Sequence, residues 1–243
     1  MDWILETRDI CHSYGAMPIL RGVSIAIPAE RITAIVGPPG CGKSTLVDLI
    51  CGYARPDSGD ILFEGRSIAG LLPTQIAAAG LVRTFEQGNL YDQLTVADHL
   101  ILSARNSDVS SDQPYQQWRK DSQIMKEGLR ILATVGLTSA PLNTRVGTLS
   151  PWQRKRLDLA LVLLEPRSLV FWEEPMQGLS EEHVERIRGR IARLRELEKT
   201  VVLTTADECH ATRLADQVID LSAVGGRTNE SIGTTQISEP EYR

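Results

Sequence analysis

The chain has 243 residues, 42% of them hydrophobic, and a formal net charge of −5, enough for one sizeable α/β domain with a packed core. The acidic balance argues against a nucleic-acid surface, and no apolar run reaches the ~20 residues that span a bilayer. Asp2 and Glu6 flank the first apolar residues and argue against a secretory signal, so any membrane role falls to a partner. The four cysteines, Cys11, Cys41, Cys51 and Cys209, are scattered without metal-ligand spacing, as suits a reducing cytoplasm.

In chain order, the alternation Val23-Ser24-Ile25-Ala26-Ile27 predicts half-buried antiparallel strands. The apolar run Ile32-Thr33-Ala34-Ile35-Val36 then leads into Gly37-Pro38-Pro39-Gly40-Cys41-Gly42-Lys43-Ser44-Thr45, followed by the helical Leu46-Val47-Asp48-Leu49-Ile50. Gly, four residues, then Gly-Lys-Ser between a strand and a helix is the pattern of a phosphate-binding loop. Its glycines let backbone N–H groups turn inward on phosphate oxygens, and the helix N-terminus adds its dipole. Lys43 supplies a point charge for the β- and γ-phosphates, and the Ser44 hydroxyl can ligate Mg²⁺. A plain Gly/Pro turn is the structural alternative, but both flanks fit the loop. Cys41, inside it, reads as a small packing residue.

A mostly helical block follows, beginning near Thr95-Val96-Ala97-Asp98-His99-Leu100, continuing over 118–135 and ending in the apolar helix 157–164, with a polar loop over 107–114. The unbroken runs Ser168-Leu169-Val170-Phe171-Trp172 and Thr200-Val201-Val202-Leu203-Thr204 predict parallel strands covered on both faces. After Gly225-Gly226 the chain turns polar. The expected fold is α/β: a P-loop NTPase core with an N-terminal antiparallel β subdomain and an inserted α-helical subdomain at about 88–165, ending in a polar tail at 226–243.

This layout and its landmarks resemble the ATP-binding cassette of ABC transporters across nearly the whole chain. Tyr14-Gly15 lies where that family stacks an aromatic on adenine. Arg83-Thr84-Phe85-Glu86-Gln87 occupies the glutamine-loop position and Leu149-Ser150-Pro151-Trp152-Gln153 the signature position. The strand ending in Glu173-Glu174-Pro175 stands at the second nucleotide motif, Gly178-Leu179-Ser180 at the loop crossing to the other cassette, and Thr204-Thr205-Ala206-Asp207 at the switch. Gly80-Leu81-Val82-Arg83-Thr84-Phe85 with Leu94-Thr95-Val96 most resembles cassettes of branched-chain amino-acid and amide importers.

The resemblance implies ATP and Mg²⁺ as cofactors. Tyr14, Gly37, Pro38, Pro39, Gly40, Cys41, Gly42, Lys43, Ser44 and Thr45 would contact the nucleotide, and Ser150 and Gln153 would face the partner's. Glu174 would be the general base, while Ser44, Glu86, Gln87 and Glu173 would serve the metal, with Glu86 and Gln87 both open for the glutamine-loop role. It also implies transmembrane permease subunits docked near 84–100, no nucleic acid, and a place at the cytoplasmic face of the plasma membrane.

Several positions depart from the family pattern. Pro151 and Trp152 replace the glycines after the signature serine. Proline removes an N–H and the indole crowds the approach, although Ser150-Pro151-Trp152-Gln153 makes a sound helix start. Glu173 stands for aspartate, one methylene longer at a site where Mg²⁺ geometry tolerates little error. Ala206 stands for the switch histidine, with His210 one helical turn on. The basic run Arg154-Lys155-Arg156 reads as a solvated helix face. These departures lead to the expectation of slow hydrolysis at this chain's own site and of a heterodimer with a more complete cassette. A pseudo-ATPase scaffold is the alternative.

Overall fold

A computed structural model of the chain describes residues 3–84, 90–105, 122–138, 141–164, 169–177, 180–182, 184–185 and 200–224. They fall into two compact units, one drawn from Met1–Arg83, Ser168–Gln177 and Arg195–Arg243, the other from Thr84–Arg167 and Gly178–Leu194.

The first unit holds two sheets. In the antiparallel one, β1 (Trp3–Tyr14) lies between β2 (Met17–Pro28) and β4 (Ser58–Phe63), with β5 (Arg66–Ser67) beyond. The alternation around Val23 lies on β2 as expected, with Val23, Ile25 and Ile27 buried and Ser24 half-buried. Ala26 departs from it and is buried as well, because Gln217 covers the outer side and donates its Nε2 to the Ala26 carbonyl at 3.3 Å.

The second sheet runs β6 (Leu81–Arg83), β7 (Leu169–Glu173), β8 (Thr200–Thr205), β3 (Ile32–Val36), β9 (Gln217–Asp220). Every pair in it is parallel. β3, β7 and β8 are buried at every residue, as uninterrupted apolar strands in a sheet covered on both faces should be. Helix α1 (Lys43–Ile50) returns from β3 and buries Leu46, Val47, Leu49 and Ile50 in the core. A short helix α2 (Pro73–Ala79) precedes β6 and buries Ile76. Open parallel sheets bind ligands outside the carboxyl ends of their strands, and here those ends are Val36, Glu173 and Thr205.

The second unit is helical: α3 (Val96–Arg105), α4 (Ser122–Val135) and α5 (Pro151–Leu164) pack pairwise. Thr95 caps α3 reciprocally with Asp98, giving its N–H to Oδ2 at 2.8 Å and accepting from the Asp98 N–H at 3.2 Å. His99 sits one turn in, its Nδ1 2.9 Å from the Thr95 carbonyl while its Nε2 accepts the Tyr91 N–H at 2.9 Å. Those partners select the neutral Nδ1–H tautomer, and burial lowers its pKa in the same sense. α3 and α4 approach closely at Gly128, where a Cβ would lie 2.9 Å from Leu100 Cδ1. Among the described residues no helix is long and apolar enough to cross a membrane. Trp118, the loop over 107–114 and the tail over 226–243 lie outside the described residues.

Candidate functional site

The phosphate loop leaves the carboxyl end of β3 and closes on itself. The Cys41 N–H reaches the Pro38 carbonyl at 3.2 Å, and Gly42, at φ +98°, ends the loop as the residue before α1. A Cβ on Gly42 would come within 2.7 Å of Leu20 Cδ2 on β2, so the close approach as well as the dihedral demands glycine. Lys43 Nζ folds back over the loop and donates to the Gly37 carbonyl at 2.6 Å and the Pro38 carbonyl at 3.3 Å. Its ammonium is thus buried against carbonyl dipoles, a setting that anionic phosphate oxygens improve upon. No acidic residue occupies the first turn of α1, so the positive end of its dipole stays available to an anion. Replacing Lys43 with alanine should weaken ATP binding by about 10- to 100-fold, the worth of a charge-assisted hydrogen bond. Titration calorimetry on the variant checks this, and unchanged affinity would remove the loop from the site.

At the carboxyl end of β7 stand two acids in different settings, Glu173 as its last residue and Glu174 just after it. Glu173 ends the strand buried, and its Oε2 accepts from Arg83 Nη2 at 3.0 Å. Arg83 comes from β6, in register with Phe171. Its Nη1 pairs closely with Asp48 Oδ1 on α1, and its guanidinium lies 5.4 Å from the Tyr53 ring centroid. Burial pulls the Arg83 pKa down, but the hydrogen bond to Asp48 and the charge of Glu173 outweigh it and hold the pKa above its ordinary value. Neighbouring Cys51 has its thiol pushed up to about 12 by burial, with Arg83 opposing, which leaves it inert as a nucleophile.

Glu174 turns away from the sheet at φ +41°, a left-handed conformation that costs a non-glycine residue about 1–2 kcal/mol. Its N–H donates to the Thr204 carbonyl at 3.1 Å, and its carbonyl accepts the Gln177 N–H at 3.1 Å. Strain held by surrounding hydrogen bonds is a common mark of functional positions. Thr204 faces Glu173 across the β7–β8 pair, and Thr205 faces Val36 across β3–β8. The loop, both acids and Ala206 are therefore gathered at one edge of one sheet. Ala206 is exposed. The nearby histidine is engaged on its own helix α6 (Glu208–Leu214): His210 gives its N–H to Asp207 Oδ1 at 2.9 Å and sets Nδ1 3.2 Å from Oδ2.

Ser150 and Gln153 lie in the second unit and form the expected capping box. Gln153 N–H donates to Ser150 Oγ at 3.3 Å, and Ser150 N–H to Gln153 Oε1 at 2.9 Å. Trp152 stacks under the Arg156 guanidinium, 4.2 Å from its ring centroid, while Arg156 Nη1 donates to the Gly136 carbonyl. Arg154 pairs with Asp92 at 2.7 Å. The run 154–156 is thus half-buried rather than the solvated face expected of it, because intramolecular partners draw Arg154 and Arg156 inward. Glu86, Gln87, Gly178 and Leu179 lie outside the described residues. Arg83 and Asp48 were not among the expected site residues. Arg83 stands in the phrase read as the glutamine loop and ends an otherwise apolar run, whereas Asp48 carries no signal of its own in the sequence.

Among the described residues no group of three or more His, Cys, Asp or Glu could hold a metal by itself. The donors at the loop are the exposed Ser44 hydroxyl and, on β7, carboxylates. Such a hard, sparse oxygen set fits Mg²⁺, which keeps waters and substrate phosphates as its other ligands.

The sequence pattern of the ABC transporter family matches residues 20–177. Over 180 residues the chain is 29% identical to the probable branched-chain amino acid transport ATP-binding protein LivG of Methanocaldococcus jannaschii, covering 73% of this chain and 70% of that one. It is 27% identical over 241 residues to the spermidine/putrescine import ATP-binding protein PotA of Mesoplasma florum, covering 98% of this chain and 64% of that one. The fold matches the ADP conformation of an ATP-binding cassette of an ABC transporter at a TM-score of 0.75 and 23% identity, over 91% of this chain and 89% of the other. The shared pattern runs from β2 through the phosphate loop to the turn after β7, and the chain belongs to the ABC transporter family as one of its ATPase domains.

Proposed function

We propose that this chain is the ATP-hydrolysing subunit of an importer for branched-chain amino acids or similar small polar solutes, docked on transmembrane permease subunits at the cytoplasmic face of the membrane. The observation that carries the reading is the gathering of the loop, with Lys43 folded over it, and Glu174 at one sheet edge. In this reading Tyr14 stacks on adenine, and the loop from Gly37 to Thr45 cradles the phosphates. Ser44, with Glu173 and either Glu86 or Gln87, would hold Mg²⁺, which when bound neutralises charge on the β- and γ-phosphates. Glu174 takes the proton of the water that attacks the γ-phosphorus, and ADP leaves as the bond to the β-phosphate oxygen breaks. The importer class leans on PotA, which is named for import, while LivG is named for branched-chain amino acid transport. The choice of solute leans on LivG and on the phrase around Arg83, against the polyamine system of PotA.

The grip on nucleotide is complete while the means of turnover are thinned. Ala206 cannot donate to the γ-phosphate, and His210 is committed to Asp207. Ser150 and Gln153 would meet the nucleotide of the other cassette with Pro151 and Trp152 where glycines are usual. Two copies of this chain would carry both faults twice, so the reading includes a second, more complete cassette. The alternative, a scaffold that binds ATP as a structural ligand, is favoured by the engaged His210 and opposed by Glu174, which a scaffold does not need.

Steady-state ATP hydrolysis by the intact complex decides between them. Glu174→Gln in this chain alone should cut the contribution of this site by about 100-fold or more, the usual worth of a general base. An unchanged rate would leave hydrolysis to the partner and make this chain a clamp.

A further inference from the structure

The hairpin that carries Tyr14 holds a second ring beneath it. β1 and β2 turn back at Gly15-Ala16, with Gly15 at φ +60°, and Tyr14 at the tip is 55% exposed. His12, two residues earlier and so on the same face of β1, is buried at 8%. The two rings meet edge to face, centroids 4.9 Å apart and planes at 87°. Neither ring nitrogen of His12 has a hydrogen-bond partner among the described residues, and the Asp57 carboxylate stands off at 3.8 Å from Nδ1. Burying an imidazole whose nitrogens make no hydrogen bond carries a cost that an aliphatic side chain at the same strand position would avoid. An aliphatic side chain would, however, forfeit the edge-to-face contact with Tyr14, so the position is used for an aromatic ring.

The register sharpens the point. β1 slips against β2 between Ile10 and His12, where Cys11 Sγ accepts the Gly22 N–H at 3.2 Å. The pairing with β4 stops at Cys11 and Ser58. From His12 onward the described strands give β1 a partner on one side only, β2. His12 pairs with Leu20 across that strand pair, and Leu20 with Ile19 lies against Gly42 of the phosphate loop. Ring contact and strand pairing thus link Tyr14 through His12 to the part of β2 beside the loop.

We propose that His12 is a positioning residue for purine binding. Its ring holds Tyr14 at the orientation that stacks on the adenine of ATP, in register with the phosphates held by the loop. The inference rests on the reading of Tyr14 as the base platform. Edge-to-face ring pairs fix geometry at modest energy, so loss of the His12 ring should raise the Kd for ATP by about two- to tenfold. Loss of Tyr14 itself should raise it by about 5- to 100-fold.

The test measures binding of ATP and of inorganic tripolyphosphate, which has no base, by calorimetry on the full chain. The variants are His12→Ala, His12→Phe, Tyr14→Ala and the His12→Ala/Tyr14→Ala double. The expected result is weaker ATP binding in both single alanine variants, unchanged tripolyphosphate binding, recovery in His12→Phe, and a double variant no worse than Tyr14→Ala. Equal losses for ATP and tripolyphosphate in His12→Ala, or full additivity with Tyr14→Ala, would overturn the positioning role. An unchanged ratio of the two affinities in Tyr14→Ala would overturn the base platform itself, and the role of His12 with it. His12→Phe keeps the question open to test should the alanine variant fold poorly.

Discussion

Replacing Ala206 with histidine should raise ATP turnover at this chain's own site by about 100-fold or more. That is the usual cost of lacking one prepositioned donor aimed at developing charge. The position is right for it: Ala206 is exposed directly after β8, and Thr204 of that strand holds the Glu174 N–H at 3.1 Å. A histidine there would rise beside Glu174, the proposed general base, from the neighbouring strand. His210 cannot stand in, since Asp207 holds it by backbone and ring at the start of α6. Asp207 would remain free to cap the helix in the variant. Phosphate release by the intact complex measures the gain. Adding Glu174→Gln to Ala206→His should abolish it, which separates turnover here from turnover at the second cassette of the proposed pair. No gain would mean that another step limits the cycle, and Pro151→Gly with Trp152→Gly then becomes the informative addition. Those two changes act on the other composite site of the proposed pair. They also remove the indole that Arg156 covers at 4.2 Å, so some loosening of α5 against α4 should accompany any gain.

The parts of the fold that were legible are those whose cause is local. β3, β7 and β8 are buried on both faces and read as unbroken apolar runs. The phosphate loop is a contiguous pattern whose glycines answer to local dihedrals, although the close approach that also demands Gly42 comes from Leu20 on β2. The capping box at Ser150 and Gln153 spans one turn. The elements that escaped are short or weakly patterned. β6 has three residues and ends in arginine. α2 has seven residues and buries Ile76 alone, so no helical period shows. Glu173 was visible as an acid of the site, but its environment was not. Glu173 meets Arg83 at a separation of 90 residues, and no spacing rule reaches across a sheet. The misjudged run 154–156 has the same origin, because Asp92 lies 62 residues from Arg154.

Arg83→Met should destabilise the protein by about 3–5 kcal/mol, because it removes one partner of a buried ion pair and leaves the other charged. Two of the three side chains are sealed from water: Arg83 is 8% exposed and Glu173 6%, while Asp48 at 30% can be hydrated when its partner goes. The loss therefore falls on Glu173. The arrangement also ties three segments together: α1 through Asp48, β6 through Arg83 and β7 through Glu173. Denaturant unfolding should show a lower midpoint with an unchanged slope, the sign of altered stability rather than altered compactness. The control is Arg83→Met with Glu173→Met. Taking both charges out of a buried site is often neutral or stabilising, so the double variant should recover most of the loss although it disables the site. If the double variant is as unstable as the single, the deficit comes from the lost guanidinium contact with Tyr53 and not from the buried carboxylate. Recovery would mean that the longer acid on β7 is held by charge. It would also give Glu173, in place of aspartate, a structural reason: its Oε2 reaches the guanidinium of the neighbouring strand at 3.0 Å.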